Sequence, residues 1–421
     1  MRLIHVYIIL MIIPLFVLAK SYGLRELIDH ANKYNQLVKS SDFKTKAKQK
    51  EIDAQESAYY PTLDIGASYG NNDPSTIATP GEMTTGYVSL GLDLYDGGRK
   101  SALVRAKTFE YQASLFEKRA FEKSLALNII NNYYLIMKFK STLDSLLVSS
   151  RELKAQIDRI KRFRLVGLAT QEEIDKLQAV FDDNAYLIEN TRLTIRTNEE
   201  NLWLNSGIQT RSLKNNRFSE PKNIRFEPYE KTKILQKNSE ALKEKANAID
   251  SGYLPQIRVE DTYTKANYAD AARIPGFGSS DSAFFPDEQN RLMISANMRI
   301  FDNGRLRKDR EAVQYQKMAL DAESTHSESE QRMNFRLAGS RLKTTRAKLK
   351  SAKSGLRAAR STYRSIVKKF ETGLVDNISY LDALKKQTTS EALYKATQYD
   401  YEIAKSIYYF YAGKSPREYI R

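Results

Sequence analysis

Asp302-Asn303-Gly304-Arg305 opens a long segment without proline that closes on Glu371-Thr372-Gly373-Leu374-Val375 and leads to Leu381-Asp382-Ala383. The same layout occurs earlier, from Asp96-Gly97-Gly98-Arg99 to Arg164-Leu165-Val166-Gly167-Leu168. Gly98 and Gly167 are 69 positions apart, and so are Gly304 and Gly373. A further 40 positions lead to Gly207 in one copy and Gly413 in the other, so the offset is 206 throughout. Self-similarity at a fixed offset marks a tandem duplication. Each copy reads as strand, turn, long helix, turn, helix.

The composition excludes several classes. The 421 residues include no Cys, which removes disulfides, thiolate metal sites, a Cys nucleophile and a lipidated N-terminal Cys. The three histidines, His5, His30 and His326, show no ligand spacing, and no metal or other cofactor is expected. A formal charge of +16 would suit nucleic acid or an anionic surface. The N-terminus argues against nucleic acid by compartment. Arg2 precedes a mostly apolar run from Val6 to Leu18, and Val17-Leu18-Ala19 offers a cleavage site, so residues 1–19 read as a secretory signal. An uncleaved anchor is the alternative, but a run of about 13 is short for a span of about 20. No other stretch is as apolar, so any insertion into a membrane must be by strands.

Leu24, Leu27, Ile28, Ala31, Tyr34 and Val38 fall on one helical face, which predicts a helix over Leu24–Tyr59 that ends before Pro61. The period then changes to two. Leu63, Ile65, Ala67 and Tyr69 alternate with polar and small residues, and so do Val88, Leu90, Leu92 and Leu94. These strands have the length and the two unlike faces of tilted transmembrane β-strands. A soluble hairpin with one buried face gives the same pattern, and the signal segment favours the membrane. Tyr59, Tyr60, Tyr69, Tyr87 and Tyr95 cluster at the strand ends, as interfacial aromatics do. In the second copy Ile257 and Val259 alternate with Arg258 and Glu260, and Leu292 to Ile300 alternates likewise. The loop Lys265–Asn290 is 12 residues longer than its counterpart and is expected on the outer side of a barrel.

Gly98 to about Val166 would span roughly 100 Å as a helix. Leu24–Tyr59 and Thr170–Ser206 are each about half as long, so two half-length helices stacked end to end match one long one. The second copy repeats this with Glu230–Gly252, Asn377–Ala412 and Gly304–Thr372. The expected organisation is a signal at 1–19, a first repeat at 20–207, a non-helical connector at 208–229, a second repeat at 230–413 and a tail at 414–421. The fold class is α+β, mostly long helices. Four strands cannot close a barrel, and an open edge in lipid is forbidden, so the chain must oligomerise. Three copies would give 12 strands and about 12 helical columns.

Several motifs resemble those of the TolC-like outer-membrane efflux proteins, the exit ducts of tripartite efflux pumps and type I secretion systems. They are Ala31-Asn32, Tyr60-Pro61-Thr62-Leu63, Leu94-Tyr95-Asp96-Gly97-Gly98-Arg99, Arg164 to Leu168, Tyr253-Leu254-Pro255-Gln256, Ile300 to Arg305, and Phe370 to Val375 followed by Tyr380-Leu381-Asp382-Ala383. They occur in order in both repeats and cover nearly the whole mature chain. The resemblance implies a homotrimer with a 12-stranded barrel in the outer membrane of a Gram-negative cell. It also implies a periplasmic α-helical barrel that docks a periplasmic adaptor and an inner-membrane transporter.

The resemblance makes Val166-Gly167-Leu168 and Thr372-Gly373-Leu374 the adaptor-docking tips; as plain turns they need glycine for positive φ. Asp382 matches an acidic position at the family's periplasmic aperture. Ser379 departs from a second one, and Phe370 and Val375 stand where the family has Tyr and Arg. Glu172, Glu173 and Asp376 are further aperture candidates, although acids in a first helical turn also complement the macrodipole. Asp96, Gly98, Arg99 and Asp302, Gly304, Arg305 form the strand-to-helix turns. From Gln331 to Phe370 there are 13 Lys or Arg and no acid, which reads as a solvated helix exterior. Trp203 reads as a packing anchor. Gly413-Lys414-Ser415 ends like a phosphate loop, but Tyr408 occupies the position of the required glycine. No catalytic set is present, so the chain is not read as an enzyme. A periplasmic coiled-coil scaffold without a pore is the competing expectation.

Overall fold

The computed structural model describes residues 21–76, 79–210, 212–222, 224–269 and 286–421. The signal segment 1–19 and most of the expected outer loop, including Pro275, Phe277 and Phe284, lie outside the described residues. The elements are β1 (Ser21–Tyr22), α1 (Leu24–Tyr34), α2 (Gln36–Ser57), β2 (Thr62–Asn71), β3 (Glu82–Tyr95), α3 (Arg99–Leu165) and α4 (Gln171–Ser206). β4 (Ser212–Leu213), α5 (Glu230–Asp250), β5 (Gln256–Ala269), β6 (Glu288–Asn297), α6 (Arg305–Glu371) and α7 (Asn377–Tyr411) follow. α3 and α6 each hold 67 residues without a break. The long helices end where the sequence predicts, within a residue or two.

Two predictions need correcting. β5 runs to Ala269 and β6 spans Glu288–Asn297, so the last strand stops short of Ile300 and both ends of the loop expected over Lys265–Asn290 are strand. The helix expected over Leu24–Tyr59 is two, because Asn35 leaves the helical conformation at φ −63°, ψ 131°. Its side chain accepts from the Leu37 amide at 2.8 Å and donates to the Asn205 carbonyl at 2.9 Å. An asparagine offers the backbone such an alternative to helix, so the break is a local side-chain effect.

The chain forms two compact units, each fed by both repeats. One comprises residues 40–119 and 230–329 and holds the four-stranded antiparallel sheet, in the order β2-β3-β5-β6. Its register places Leu63, Leu90, Asp261 and Leu292 in one row. Leu63, Ile65, Leu292 and Ile294 are all more than 65% exposed, so the apolar face has no cover within this chain. Asp261 breaks that face between two leucines, and one of its carboxylate oxygens has no hydrogen-bond partner. Among the described residues the outer edges of β2 and β6 have no strand partner. Beside the sheet, α2, α3 and α5 bury mainly small apolar residues, such as Ala106 and Ala241, and are linked by ion pairs. Lys107 reaches Glu51 at 2.7 Å, and Lys245 reaches Glu110 at 2.6 Å.

The other unit comprises residues 21–39, 120–229 and 330–421 as far as described. Its main core joins Leu24, Leu27 and Ile28 of α1 to Ile129, Ile130, Tyr133 and Tyr134 of α3. Phe218 of the connector and Ile420 of the tail are buried in the same core and form an isolated bridge to each other. The connector is non-helical, as expected, yet it is not loose. β4 pairs in parallel with β1, and Tyr409 stacks on Tyr419 at 3.7 Å. Lys405 is buried and bonds Glu402 at 2.8 Å and the Phe218 carbonyl at 2.9 Å. Removing one partner of such a pair leaves an uncompensated charge in the core.

Gly413 closes α7 at φ +83°, and a Cβ there would overlap the Glu227 carbonyl oxygen. Gly413→Ala is therefore expected to cost about 2–4 kcal/mol of stability. Gly339→Ala, inside α6 with an ordinary 3.6 Å contact to the Tyr408 ring, should instead gain up to about 1 kcal/mol. Chemical denaturation of the two variants checks both signs.

Candidate functional site: the paired helix tips

α3 and α6 end alike. Gly167 (φ +77°) and Gly373 (φ +74°) occupy left-handed positions that only glycine enters without strain. The Leu168 amide reaches back to the Phe163 carbonyl at 2.9 Å, and the Gly167 amide to Arg164 at 3.0 Å. At the second tip Leu374 bonds Lys369 at 2.8 Å and Gly373 bonds Phe370 at 3.1 Å. This double closure is the Schellman arrangement, which satisfies carbonyls a helix end would otherwise leave open. The Thr372 hydroxyl donates to the Lys369 carbonyl at 3.0 Å. The turns present Val166, Leu168 and Leu374 to solvent, each at least two-thirds exposed. Exposed apolar side chains on a rigid turn suit a partner surface.

The four candidate carboxylates have different local roles. Glu173 completes a capping box: Thr170 Oγ1 accepts from its amide at 3.3 Å, and its carboxylate accepts from the Thr170 amide at 2.9 Å. Asp376 is the N-cap of α7 and accepts from the Ser379 amide at 2.9 Å. Hydrogen bonding by Ser379 holds the Asp376 carboxyl below the usual aspartate range. Glu172 pairs with Lys176 one turn on, at 2.6 Å, and that lysine depresses its carboxyl. Asp382 lies beyond the first turn of α7, is exposed, and makes no hydrogen bond or ion pair among the described residues. Glu173, Asp376 and Asp382 line one groove of about 610 Å³ between α3, α4 and α7, with Leu153, Val180 and Leu381 as part of its apolar floor. Glu172 stands outside it.

The sequence did not reveal a tie above the tips. Glu152 on α3 accepts from Tyr380 Oη at 3.2 Å and from Tyr363 Oη at 3.4 Å, and the two phenols lie 3.2 Å apart. Burial pushes both phenols up, so they stay protonated donors. The Phe370 ring stacks on Tyr380 at 5.0 Å, and the Arg159 guanidinium sits over Phe370 at 4.8 Å and Phe163 at 5.3 Å. Ile157, Ile160, Ile174, Leu177 and Leu384 close the cluster around Tyr380. The two hairpins are thus locked together at their ends. Tyr380 stood in a recognisable motif, but Glu152 has no sequence signal, since its partners lie more than 200 positions away.

The strand-to-helix turns also repeat. The Asp96 carboxylate accepts from the amides of Gly98 (3.1 Å) and Lys100 (2.8 Å). Asp302 accepts from Gly304 (2.9 Å), Arg305 (3.2 Å) and Leu306 (3.0 Å). Arg99 approaches Asp96 at 3.9 Å, and Arg305 approaches Asp309 at 3.8 Å. These aspartates satisfy the first amides of α3 and α6. Among the described residues no helix is long and apolar enough to cross a membrane.

Tyr380→Phe should cost about 1 kcal/mol, and Glu152→Ala, which removes the acceptor the two phenols share, about 1–2 kcal/mol; denaturant titration would read both. The Asp376 cap has a defined pH dependence. Its carboxyl is depressed in the fold, so the cap is fully present above the ordinary aspartate pKa and is lost as pH falls through the lowered value. Exchange protection of the Ser379 amide should follow that course and become pH-independent in Asp376→Asn.

Residues 27–207 match the family model described as outer membrane efflux protein. No curated protein matches the chain. Solved structures share the fold. A membrane protein from Pseudomonas aeruginosa is 17% identical, with a TM-score of 0.79 over 93% of each chain. The outer membrane protein VceC from Vibrio cholerae is 13% identical, with a TM-score of 0.78 over 93% of this chain and 96% of its own. The CmeC outer membrane channel of Campylobacter jejuni is 14% identical, with a TM-score of 0.79 over 93% and 85%.

Proposed function

We propose that this chain, a relative of the outer membrane efflux proteins, is the outer-membrane exit duct of a tripartite efflux pump or type I secretion system. The observation that carries the reading is the antiparallel sheet with a bare apolar face and two open edges. Strands β2 and β6 each hold 10 residues, and in the order β2-β3-β5-β6 the two edges run in opposite directions. Copies can therefore join β6 to β2 in antiparallel fashion and close a barrel. Two copies would give eight strands, an interior just filled by side chains. Three give 12, which leaves a passage, and a homotrimer is the assembly we propose. A periplasmic scaffold without a pore would expose the same apolar face to water, and no observation favours it.

The duct is passive. Its energy comes from an inner-membrane transporter, coupled through a periplasmic adaptor that docks on Val166-Gly167-Leu168 and Thr372-Gly373-Leu374. Their exposed apolar side chains and rigid closures support that role. Asp382 is the aperture carboxylate of first choice, because Glu172, Glu173 and Asp376 are already engaged in ion pairing or capping. Repeated by symmetry, a ring of Asp382 would raise the local cation concentration at the mouth.

Single-channel recording of the detergent-purified mature protein in a planar bilayer tests this. Small cation-selective steps are expected, and Asp382→Ala should enlarge them and weaken the selectivity. Steps unchanged by the mutation would retain the duct and remove the aperture from Asp382. A protein that conducts nothing and stays soluble without detergent would overturn the reading.

A further inference from the structure

We propose that the exposed acidic face of α4 docks on the basic face of α6 in a second copy of this chain, with three charge rungs at matched levels above the tips. The inference rests on the oligomeric duct above. Lys343, Lys350, Arg357 and Arg364 recur every seven residues on α6 and so share one stripe. All four are exposed, and none forms an ion pair with a carboxylate among the described residues. On α4, Asp175, Asp182 and Glu189 also recur every seven residues and are exposed. Asp175 and Asp182 receive only glutamine donors, from Gln171 at 2.7 Å and Gln178 at 2.9 Å. Glu189 has a local, exposed partner in Arg192.

The levels of the two stripes agree. Asp175, Asp182 and Glu189 stand 8, 15 and 22 positions after Gly167. Arg364, Arg357 and Lys350 stand 9, 16 and 23 positions before Gly373. The two tips lie side by side, since Arg159 covers both Phe163 and Phe370. A rotation axis along the helices moves a copy sideways without changing its level. Each acid therefore meets a base within about one residue's rise, or roughly 1.5 Å. The next rung would set Arg196 against Lys343, two like charges, so the attraction ends after three rungs.

The shapes also match. Beside the acidic stripe, Tyr186 and Leu193 project from α4 at 69% and 63% exposure. Beside the basic stripe lies a groove of about 390 Å³ lined by Ser351, Gly355, Ala358 and Thr362 of α6 and by Ala383 and Ser390 of α7. Large side chains thus face small ones, as ridges face grooves in packed helices. Exposed ion pairs are individually weak, so the rungs set the choice of neighbouring face and salt sensitivity more than total affinity.

The absence of cysteine makes the test clean, because paired cysteines would be the only thiols. The full mature chain carrying Asp182→Cys and Arg357→Cys, in detergent, is treated with a short bismaleimide and run on a denaturing gel. Covalent dimers and trimers are expected. Asp182→Cys with Lys343→Cys is displaced by about 21 Å along the helices and should give none. Asp182→Arg alone should reduce the oligomer seen by native mass spectrometry at low salt, and adding Arg357→Glu should restore it. A chain that stays oligomeric without interchain crosslinks at 182 and 357, or that crosslinks them within one copy, overturns the rungs and leaves the duct standing. A chain that is monomeric in every detergent removes the duct reading as well.

Discussion

Backbone hydrogen bonding at the sheet edges constrains everything else in this protein. Every peptide group on the free edge of β2 or β6 needs a partner, and hydrocarbon supplies none. The deficit cannot be repaired by side chains, because the edge groups recur along the whole strand. Among the described residues no further strand of the chain pairs with either edge. On the proposed outer-membrane reading, assembly in the membrane is therefore part of folding, and it would cover the apolar face of Leu63, Ile65, Leu292 and Ile294 that this chain leaves bare. Asp261 shows that this face is not uniform. A carboxylate between Leu90 and Leu292 is costly in lipid, and its unpartnered oxygen identifies the row where the sheet is least suited to a membrane.

The tips obey a different economy. There the chain must reverse two long helices in a few residues while leaving an apolar surface outside. Glycine at a left-handed position solves the backbone problem, and the double amide closure makes the turn rigid. The capping acids then have two simultaneous uses. Glu173 and Asp376 hold the starts of α4 and α7, and both also face the groove that contains Asp382. Their carboxylates are held in place by local bonds, whereas that of Asp382 makes none among the described residues. That difference is why Asp382, and not a capping acid, is the carboxylate proposed for the aperture.

Periodicity made much of the fold legible. The 69-residue spacing of the turn glycines located both long helices, and the switch from period three-and-four to period two located the four strands of the antiparallel sheet, though not the short β1 and β4. These signals are local and survive whatever surrounds them. The break at Asn35 was missed because a single side chain overrode a continuous helical pattern. The burial of Phe218 and Ile420 was missed because a short irregular segment carries no period at all. At the site, capping acids could be read from their positions in a first turn. The Glu152 tie could not, since it joins three helices through residues with no pattern between them.

Charge offers a way to assemble such a chain without premature association. A helix face made apolar enough to bind its neighbour tightly would also bind itself, and misregister by one heptad would be cheap. A row of acids opposite a row of bases is soluble in each free copy and repels a like face. A slip of one heptad in one direction sets Asp175 against Glu371 and Arg196 against Lys350, whereas a slip in the other direction keeps three acid–base pairs, so the common level of the two tips selects the register together with charge. The 13 basic residues of α6 between Gln331 and Phe370 thereby acquire a reason beyond solvation. They exclude α6 from packing on its own counterpart and leave the acidic helix of the next copy as the complementary neighbour.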